Sequence, residues 1–350
     1  MPRLLRYLNL RRIFYIFVWI YIGLIWIWFG LRLAFFDRIW WLSLLNTNAF
    51  FLLIPAILLL PIVIKFRLKN RISNILIVGL TLPIILFAWF FAYLLFPPQL
   101  KSKLAGQENL SLVNPSPSKF RLMSFNVLFS NKNYPKIIQS IRSSNPDLIG
   151  LQEVQSHHLA ALKQALTEYP YSAFHPVPKF HNIALFSRLP IESITILPAQ
   201  SIERGMSAVV KIQGHPLTVI VAHLTPNYVE PVPFAEYTKL LQSRYTSRAR
   251  EIDYLHQYIR SNPHQSIVLC DCNLTNTAQA YPQMAQELSD SFAEVGWGFG
   301  HTFQGEDWKF PLQRLDYIWH TNRLTTLDAH VGTDGGSDHL PLLADFHFSQ

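Results

Sequence analysis

Residues 147–154 read Asp147–Leu148–Ile149–Gly150–Leu151–Gln152–Glu153–Val154. Asp147–Leu151 is a short apolar run of strand length, and a carboxylate follows it almost at once. The same arrangement recurs along the chain. Phe120–Val127 alternates as a strand and carries Asn126 near its end. Thr218–Ala222 ends at His223, and Ile267–Cys270 ends at Asp271 with Asn273 just beyond. Asp316 lies in Arg314–Leu315–Asp316–Tyr317–Ile318, and Asp338 and His339 lie in Gly336–Ser337–Asp338–His339–Leu340–Pro341. Polar groups at the ends of apolar strands can converge on one rim of a sheet.

Working outward, further strands are expected over Ile183–Phe186, Ile194–Leu197, Ser207–Ile212 and Leu342–His347, with turn signals at Gly205 and Gly214. Helices are expected over Ile137–Ser143, Leu159–Glu168 and, as a longer amphipathic element, Ser243–Ser261. This mixture implies an α/β domain of sheets covered by helices.

The residue types suit phosphoester hydrolysis. Mg²⁺ takes hard oxygen ligands, usually one or two carboxylates completed by water and phosphate oxygens. Glu153 supplies a carboxylate and Asn126 a carbonyl oxygen. The metal offsets charge on an anionic phosphate. Water must also lose a proton, and His339 and His223 are candidates for that work, since imidazole as a group titrates near neutrality. A working histidine is usually oriented by a carboxylate, and Asp316 is the candidate partner of His339.

The first hundred residues differ in kind. Ile13–Leu31, Ile39–Ile64 and Ile72–Phe96 contain no charged residue. Each is long enough to cross a bilayer core of roughly 30 Å as a helix. The expected spans are about 13–36, 39–64 and 72–96. The second is interrupted by Asn46–Thr47–Asn48 and then carries Pro55 and Pro61, so a kinked or partly re-entrant course is expected. Residues 1–98 read as an all-α transmembrane anchor of about three helices, 99–118 as a Pro/Ser/Asn-containing linker, and 119–350 as the catalytic domain.

Charge sets an expected orientation. Arg3, Arg6, Arg11 and Arg12 precede the first run, and Lys65, Arg67, Lys69 and Arg71 lie between the second and third. Positive charge favours the cytoplasm, which places the N-terminus inside and the domain after Phe96 on the extracytoplasmic side. The net charge of +8 is uneven. Residues 1–114 hold 12 basic and 2 acidic residues, or +10; residues 115–350 hold 18 basic and 20 acidic, or −2. The domain therefore lacks the strong positive field of a general nucleic-acid binder. Cys270 and Cys272 are expected to be buried small residues, because a bridge between positions two apart is strained and they lack further soft ligands for zinc.

Seven segments in order resemble the endonuclease/exonuclease/phosphatase superfamily, which includes deoxyribonuclease I. They are Met123–Ser124–Phe125–Asn126, Leu151–Gln152–Glu153–Val154, Ala184–Ile191, Ala222–His223–Leu224, Asp271–Cys272–Asn273, Arg314–Ile318 and Ser337–Asp338–His339. The resemblance covers residues 120–348. It implies a two-sheet β-sandwich flanked by helices, in four layers. It implies that Glu153 binds Mg²⁺, or Mn²⁺ in its place, with Asn126 and Asp338 beside it. Asp271 is then expected to orient or deprotonate the attacking water, and Asn273 to hold a phosphate oxygen. His339, paired with Asp316, is expected to contact the scissile phosphate, and His223 to help the leaving group or bind phosphate. Cys270 and Cys272 depart from the family's Gly-Asp-Phe-Asn pattern.

Other residues carry plainer readings. Arg188 and Pro190 are expected to be structural, and Asn182 suits a cap or the site equally. His157, His158, His175 and His301 are expected at the surface or in loops. Arg244, Arg248 and Arg250 read as a solvated helix face. Thr225–Tyr237, with Asn227 as a candidate substrate contact, reads either as a packed loop or as a lip that selects substrate. The expected activity is a membrane-anchored phosphodiesterase acting on a lipid-like or small ester. The alternatives are an extracytoplasmic nuclease, betrayed by a basic groove, and an inactive phosphate-binding module, betrayed by loss of Glu153, Asp271, Asn273 or His339.

Overall fold

The computed structural model describes residues 2–66, 71–97, 100, 119–177, 182–226, 232–305 and 310–349. Most of the expected linker and Asn227 lie outside the described residues. The chain forms two compact units. One comprises Met1–Tyr93 with Asn276–Gln279, and the other Leu94–Thr275 with Ala280–Gln350.

The first unit is helical. Helix α1 spans Pro2–Phe35, α2 Trp40–Thr47, α3 Ala49–Lys65 and α4 Arg71–Phe91. Val18, Ile22, Ala56, Val63, Leu76 and Leu80 form its core. Gly79 permits the close approach of α1 to α4, since a Cβ there would meet Ile22 Cδ1 at 2.9 Å. Outward-facing Ile20, Leu24, Ile27, Val78, Ile85 and Trp89 are exposed apolar side chains, a pattern that calls for a covering phase. Among the described residues two helices are long and apolar enough to cross a membrane, Leu10–Phe35 and Asn74–Phe91; the bent pair α2–α3 would be a third.

The second run is interrupted at the asparagines rather than at its prolines. Helices α2 and α3 meet at Asn48 with a bend of 55°. The Asn48 amide donates to Leu44 O at 2.8 Å, and the Asn46 amide donates to Phe36 O and to Asp37 Oδ1. These short side chains take over backbone and capping bonds and so end the helix. Pro55 and Pro61 remain inside α3.

The second unit holds two six-stranded mixed sheets flanked by helices. The strands are β1 (Phe120–Asn126), β2 (Leu148–Gln152), β3 (Tyr171–His175), β4 (Ile183–Ser187), β5 (Ile191–Ile196), β6 (Gly205–Ile212), β7 (His215–His223), β8 (Gln265–Asp271), β9 (Ser289–Asp290), β10 (Asp316–His320), β11 (Leu324–Val331) and β12 (Leu342–Phe348). The sheet orders are β11-β12-β1-β2-β4-β3 and β5-β6-β7-β8-β10-β9. This is the expected sandwich.

Alternation along each strand sorts inner from outer residues. Met123 and Phe125 of β1 pack outward with Ile137, Ile141 and Leu162 of the helices Tyr134–Ser144 and Ser156–Ala165. Ile220, Val268, Cys270, Tyr317 and Trp319 pack outward with Ile252 and Leu255 of the helix Phe234–Ser261. Inward faces meet closely at Gly150, where a Cβ would lie 2.8 Å from Leu269 and 3.2 Å from Val221 of the opposing sheet. Gln152 Nε2 crosses the same gap to Leu269 O at 3.3 Å.

Several expectations are corrected here. The long helix begins at Phe234, not Ser243, and absorbs Phe234 and Tyr237 from the expected loop; Ala235, Glu236, Lys239, Leu240 and Leu241 are good helix formers. Strands β3, β9 and β11 were not expected. Cys270 and Cys272 are paired as a disulfide rather than separate. Both side chains lie on the outer face of β8, in the core under the long helix, because positions two apart share a face.

Candidate active site

Strand register assembles the site. β7 and β8 run parallel with His223 beside Asp271, and β10 runs antiparallel to β8 with Asp316 beside Asp271. In the other sheet β1 runs parallel to β2 with Asn126 beside Gln152. Leu269 points inward, so Asp271, two residues on, does too. The two sheets therefore bring their polar strand ends to one rim of the inter-sheet gap.

Asp271 is the hub. Its Oδ2 accepts from Asn126 Nδ2 at 2.9 Å and lies 3.5 Å from His223 Nε2 and 3.8 Å from His339 Nε2. Its Oδ1 accepts from Asn273 N at 3.2 Å. Asn126 also donates to Glu153 Oε1 at 3.1 Å, and Phe129 N donates to Glu153 Oε2 at 3.1 Å. His339 Nδ1 bonds Asp316 Oδ2 at 2.7 Å, as expected for an oriented imidazole. Ser337 Oγ fixes the approach of this segment by donating to Asn126 O at 2.8 Å. The Phe303 ring lies 5.1 Å from that of His339.

Two backbone positions at the site are left-handed without being glycine, Glu153 at φ 60° and Asn273 at φ 50°. Such conformations cost of order 1–3 kcal/mol and persist only where surroundings impose them. Here each places a polar side chain just past a strand end.

Burial concentrates negative charge. Asn126, His223, Asp271, Asp316 and His339 are all buried. Burial raises the carboxyl of Asp271, and the neighbouring Asp316 charge adds to this, while His339 opposes it. Burial likewise raises Glu153, and hydrogen bonds from Asn126 and Phe129 oppose it. Burial lowers His339, but the carboxylates of Asp316 and Asp271 outweigh it and hold the imidazole well above its ordinary value. The charge of Asp338 acts on both Glu153 and His339. Among the described residues Asp316 Oδ1 is buried without a hydrogen-bond partner.

This donor set fits a hard divalent cation. Three carboxylates, the buried Asp271 and Asp316 and the half-buried Glu153, share one rim, and oxygen donors dominate. Asp271, Asp316 and His339 each offer one ligand atom, all within 4.8 Å of one another. His339 Nδ1 and Asp316 Oδ2 are bonded to each other, which leaves His339 Nε2 and Asp316 Oδ1 outside that pair.

Four features escaped the sequence reading. Arg204 is buried, and its guanidinium is lowered by desolvation while the charges of Glu251, Asp271 and Glu153 act on it; its carbonyl accepts from His223 N at 2.9 Å. Arg248, expected on a solvated face, is buried and donates to Thr225 O at 3.0 Å and Asn273 O at 2.7 Å. Glu251 accepts from Thr225 N and Oγ1, both at 2.8 Å. Arg248 and Glu251 tie the segments that follow β7 and β8 to the long helix. Helical spacing held the signal, since Arg248 is in phase with the buried Ile252, Leu255 and Ile259. The fourth is His158, expected at the surface but buried, where it bonds Gln155 N and Asn131 O.

Arg188 and Asn182 are structural, as expected for the arginine. Arg188 lies near Asp147 and over the Tyr169 ring; Asn182 bonds Val177 N and Val154 O. Asn273 Nδ2 donates to Leu224 O at 3.0 Å.

A family model described as Endonuclease/Exonuclease/phosphatase family matches residues 123–339. Among solved structures, an endonuclease/exonuclease/phosphatase from Bacteroides vulgatus is similar at a TM-score of 0.52 and 17% identity, covering 66% of this chain and 100% of its own. The human Nocturnin catalytic domain with bound sulfate anion is similar at 0.51 and 20%, covering 67% and 94%. The mannosyl-6-phosphatase Bt3783 of Bacteroides thetaiotaomicron is similar at 0.52 and 17%, covering 65% and 100%. At these identities the likeness is one of fold. No curated protein matches the chain.

Proposed function

The chain belongs to the endonuclease/exonuclease/phosphatase family, and from that premise we propose that it is a membrane-anchored, Mg²⁺-dependent phosphodiesterase with its domain on the extracytoplasmic side. The observation that carries this reading is the convergence of Asn126, His223 and His339 on Asp271 Oδ2, with Glu153 one hydrogen bond away through Asn126.

Glu153 and Asn126 would hold the cation, with Asp338 adding charge nearby; Mn²⁺ is the alternative ion. When bound, the cation would offset charge on the phosphate and lower the barrier to in-line attack. Asp271 would orient the attacking water and accept its proton. Its raised proton affinity suits it to that task. His339, held cationic by Asp316, would donate from Nε2 to a phosphate oxygen. His223 would supply the proton to the leaving oxygen, and Asn273 would bind a phosphate oxygen. Asn227 remains a candidate substrate contact.

Apolar helices and a domain of net charge −2 favour a lipid-like or small diester over nucleic acid. A nuclease remains the second reading, because a local basic surface is compatible with a neutral total. The inactive-module reading is disfavoured by the presence of Glu153, Asp271, Asn273 and His339 at one rim. The test is Mg²⁺-dependent hydrolysis by the full chain in detergent of bis(p-nitrophenyl) phosphate, p-nitrophenyl phosphate, sphingomyelin and plasmid DNA. Turnover that is lost in His339→Ala and Glu153→Ala supports the mechanism, and the preferred substrate selects the class. Preference for plasmid DNA would replace the lipid reading with the nuclease one.

A further inference from the structure

The loop after the short helix Ser291–Val295 presents aromatic surface. Trp297 is 69% exposed and Phe310 70% exposed. Both line one cleft of about 520 Å³, with Phe292, Val295, Phe299 and Val331 among its walls. The Trp297 indole N–H is satisfied by Leu95 O at 3.1 Å, and Gly298 N donates to Leu94 O at 2.8 Å. What Trp297 leaves open is therefore its apolar ring.

Charge does not explain the exposure. Burial lowers His301, in the same cleft, to about 4, so it is uncharged near neutral pH. Asp328 and His330 at the rim are bonded to each other at 2.8 Å. Leu95 and Phe96 beside the indole are themselves exposed.

Covalent reach decides what covers this surface. Leu95 lies four residues beyond Phe91, the last residue of the apolar helix α4. Four residues span at most about 14 Å. Trp297, bonded to Leu95, is thus tethered within that order of distance from the end of a helix able to cross a bilayer. Amphipathic aromatic rings prefer the headgroup level of a membrane.

We propose that Leu95, Phe96, Trp297 and Phe310 form an aromatic lip that seats in the headgroup–acyl boundary of the bilayer crossed by α4. The lip rests on the reading that the apolar helices span a membrane, and it deepens the proposed function. It holds the domain against the surface from which a lipid phosphodiester would be drawn.

The test uses the full chain in nanodiscs of phosphatidylcholine and phosphatidylglycerol. A nitroxide is placed in turn at Trp297→Cys, Phe310→Cys and, as a control, Glu192→Cys on exposed β5. Saturation by oxygen is compared with saturation by a water-soluble nickel chelate. Positions 297 and 310 are expected to favour oxygen and position 192 the chelate. If 297 and 310 match 192, the lip does not touch lipid and the proposal is overturned. The doubly substituted Trp297→Ala, Phe310→Ala chain should keep its turnover of soluble bis(p-nitrophenyl) phosphate while losing turnover of vesicle-borne phosphodiester; equal turnover of the two substrates would also overturn it. Nitroxide depth needs no catalysis, so an immersed lip on a chain inactive toward every ester would refute the proposed function alone.

Discussion

The Arg248 guanidinium donates to the backbone carbonyl of Asn273 at 2.7 Å, and so fixes a left-handed residue at the heart of the candidate site. The same nitrogen holds Thr225 O, whose residue Glu251 grips from the other side. Removing the arginine leaves buried carbonyls unpaired, at about 1–3 kcal/mol for such a group. Arg248→Ala should therefore lower the thermal midpoint and reduce kcat. Arg248→Lys should recover part of both, since one ammonium can reach only some of the carbonyls. Thermal denaturation beside steady-state kinetics checks this, and an unchanged Arg248→Ala chain would refute it.

The pair His339 Nδ1–Asp316 Oδ2 makes a sharper prediction. Asp316→Asn preserves volume and a hydrogen-bonding oxygen but removes the charge that keeps His339 cationic. Loss of a positioned proton donor costs on the order of 10²–10⁴-fold in rate. Turnover should fall in that range with the circular-dichroism spectrum unchanged. A fully active Asp316→Asn chain would mean that His339 does not act as proposed.

Gly150 separates packing from chemistry. An added Cβ would press on Leu269 and Val221 across the inter-sheet gap. Overpacking of this kind costs about 1–3 kcal/mol. Gly150→Ala should lower stability in chemical denaturation, and a neutral substitution would show that the sheets can part there.

Acid sensitivity should trace partly to Asp345. Burial raises its carboxyl, but bonds from Arg121 and Lys119 outweigh this and hold it below the ordinary carboxylate value. A group depressed in the folded state adds stability above its unfolded pKa, about 3.9 for aspartate. That stability is lost as pH falls through the lower folded value. Urea unfolding from pH 5 downward should show a weaker acid dependence in Asp345→Asn than in the parent. Identical slopes would assign the effect elsewhere.

Much of this architecture was legible in the sequence because several site residues lie at the ends of apolar strands. Asn126, His223, Asp271 and Asp316 sit at such ends, and the period of two sends them inward together; Glu153, one residue past the inward Gln152, is turned by its left-handed backbone instead. The pairing of β7 with β8, and of β8 with β10, was not legible, since register depends on contacts remote in sequence. Arg248 and Glu251 were missed for a different reason. A charge on a helix suggests solvent, and only its phase with Ile252 and Leu255 showed a buried face. The disulfide was missed because a bridge between positions two apart reads as strained. The break at Asn48 was legible, since Asn46–Thr47–Asn48 interrupts the apolar run, and Pro55 and Pro61 are accommodated inside α3.

The central claim is that Glu153 recruits the cation on which phosphoester hydrolysis depends. The most direct measurement titrates Mn²⁺ into the full chain and follows free ion by electron paramagnetic resonance, with hydrolysis of bis(p-nitrophenyl) phosphate read on the same samples. Saturable binding that rises in step with turnover, with both lost in Glu153→Gln, is the predicted result. Turnover that persists in Glu153→Gln, or that runs undiminished with the ion chelated, would contradict the account.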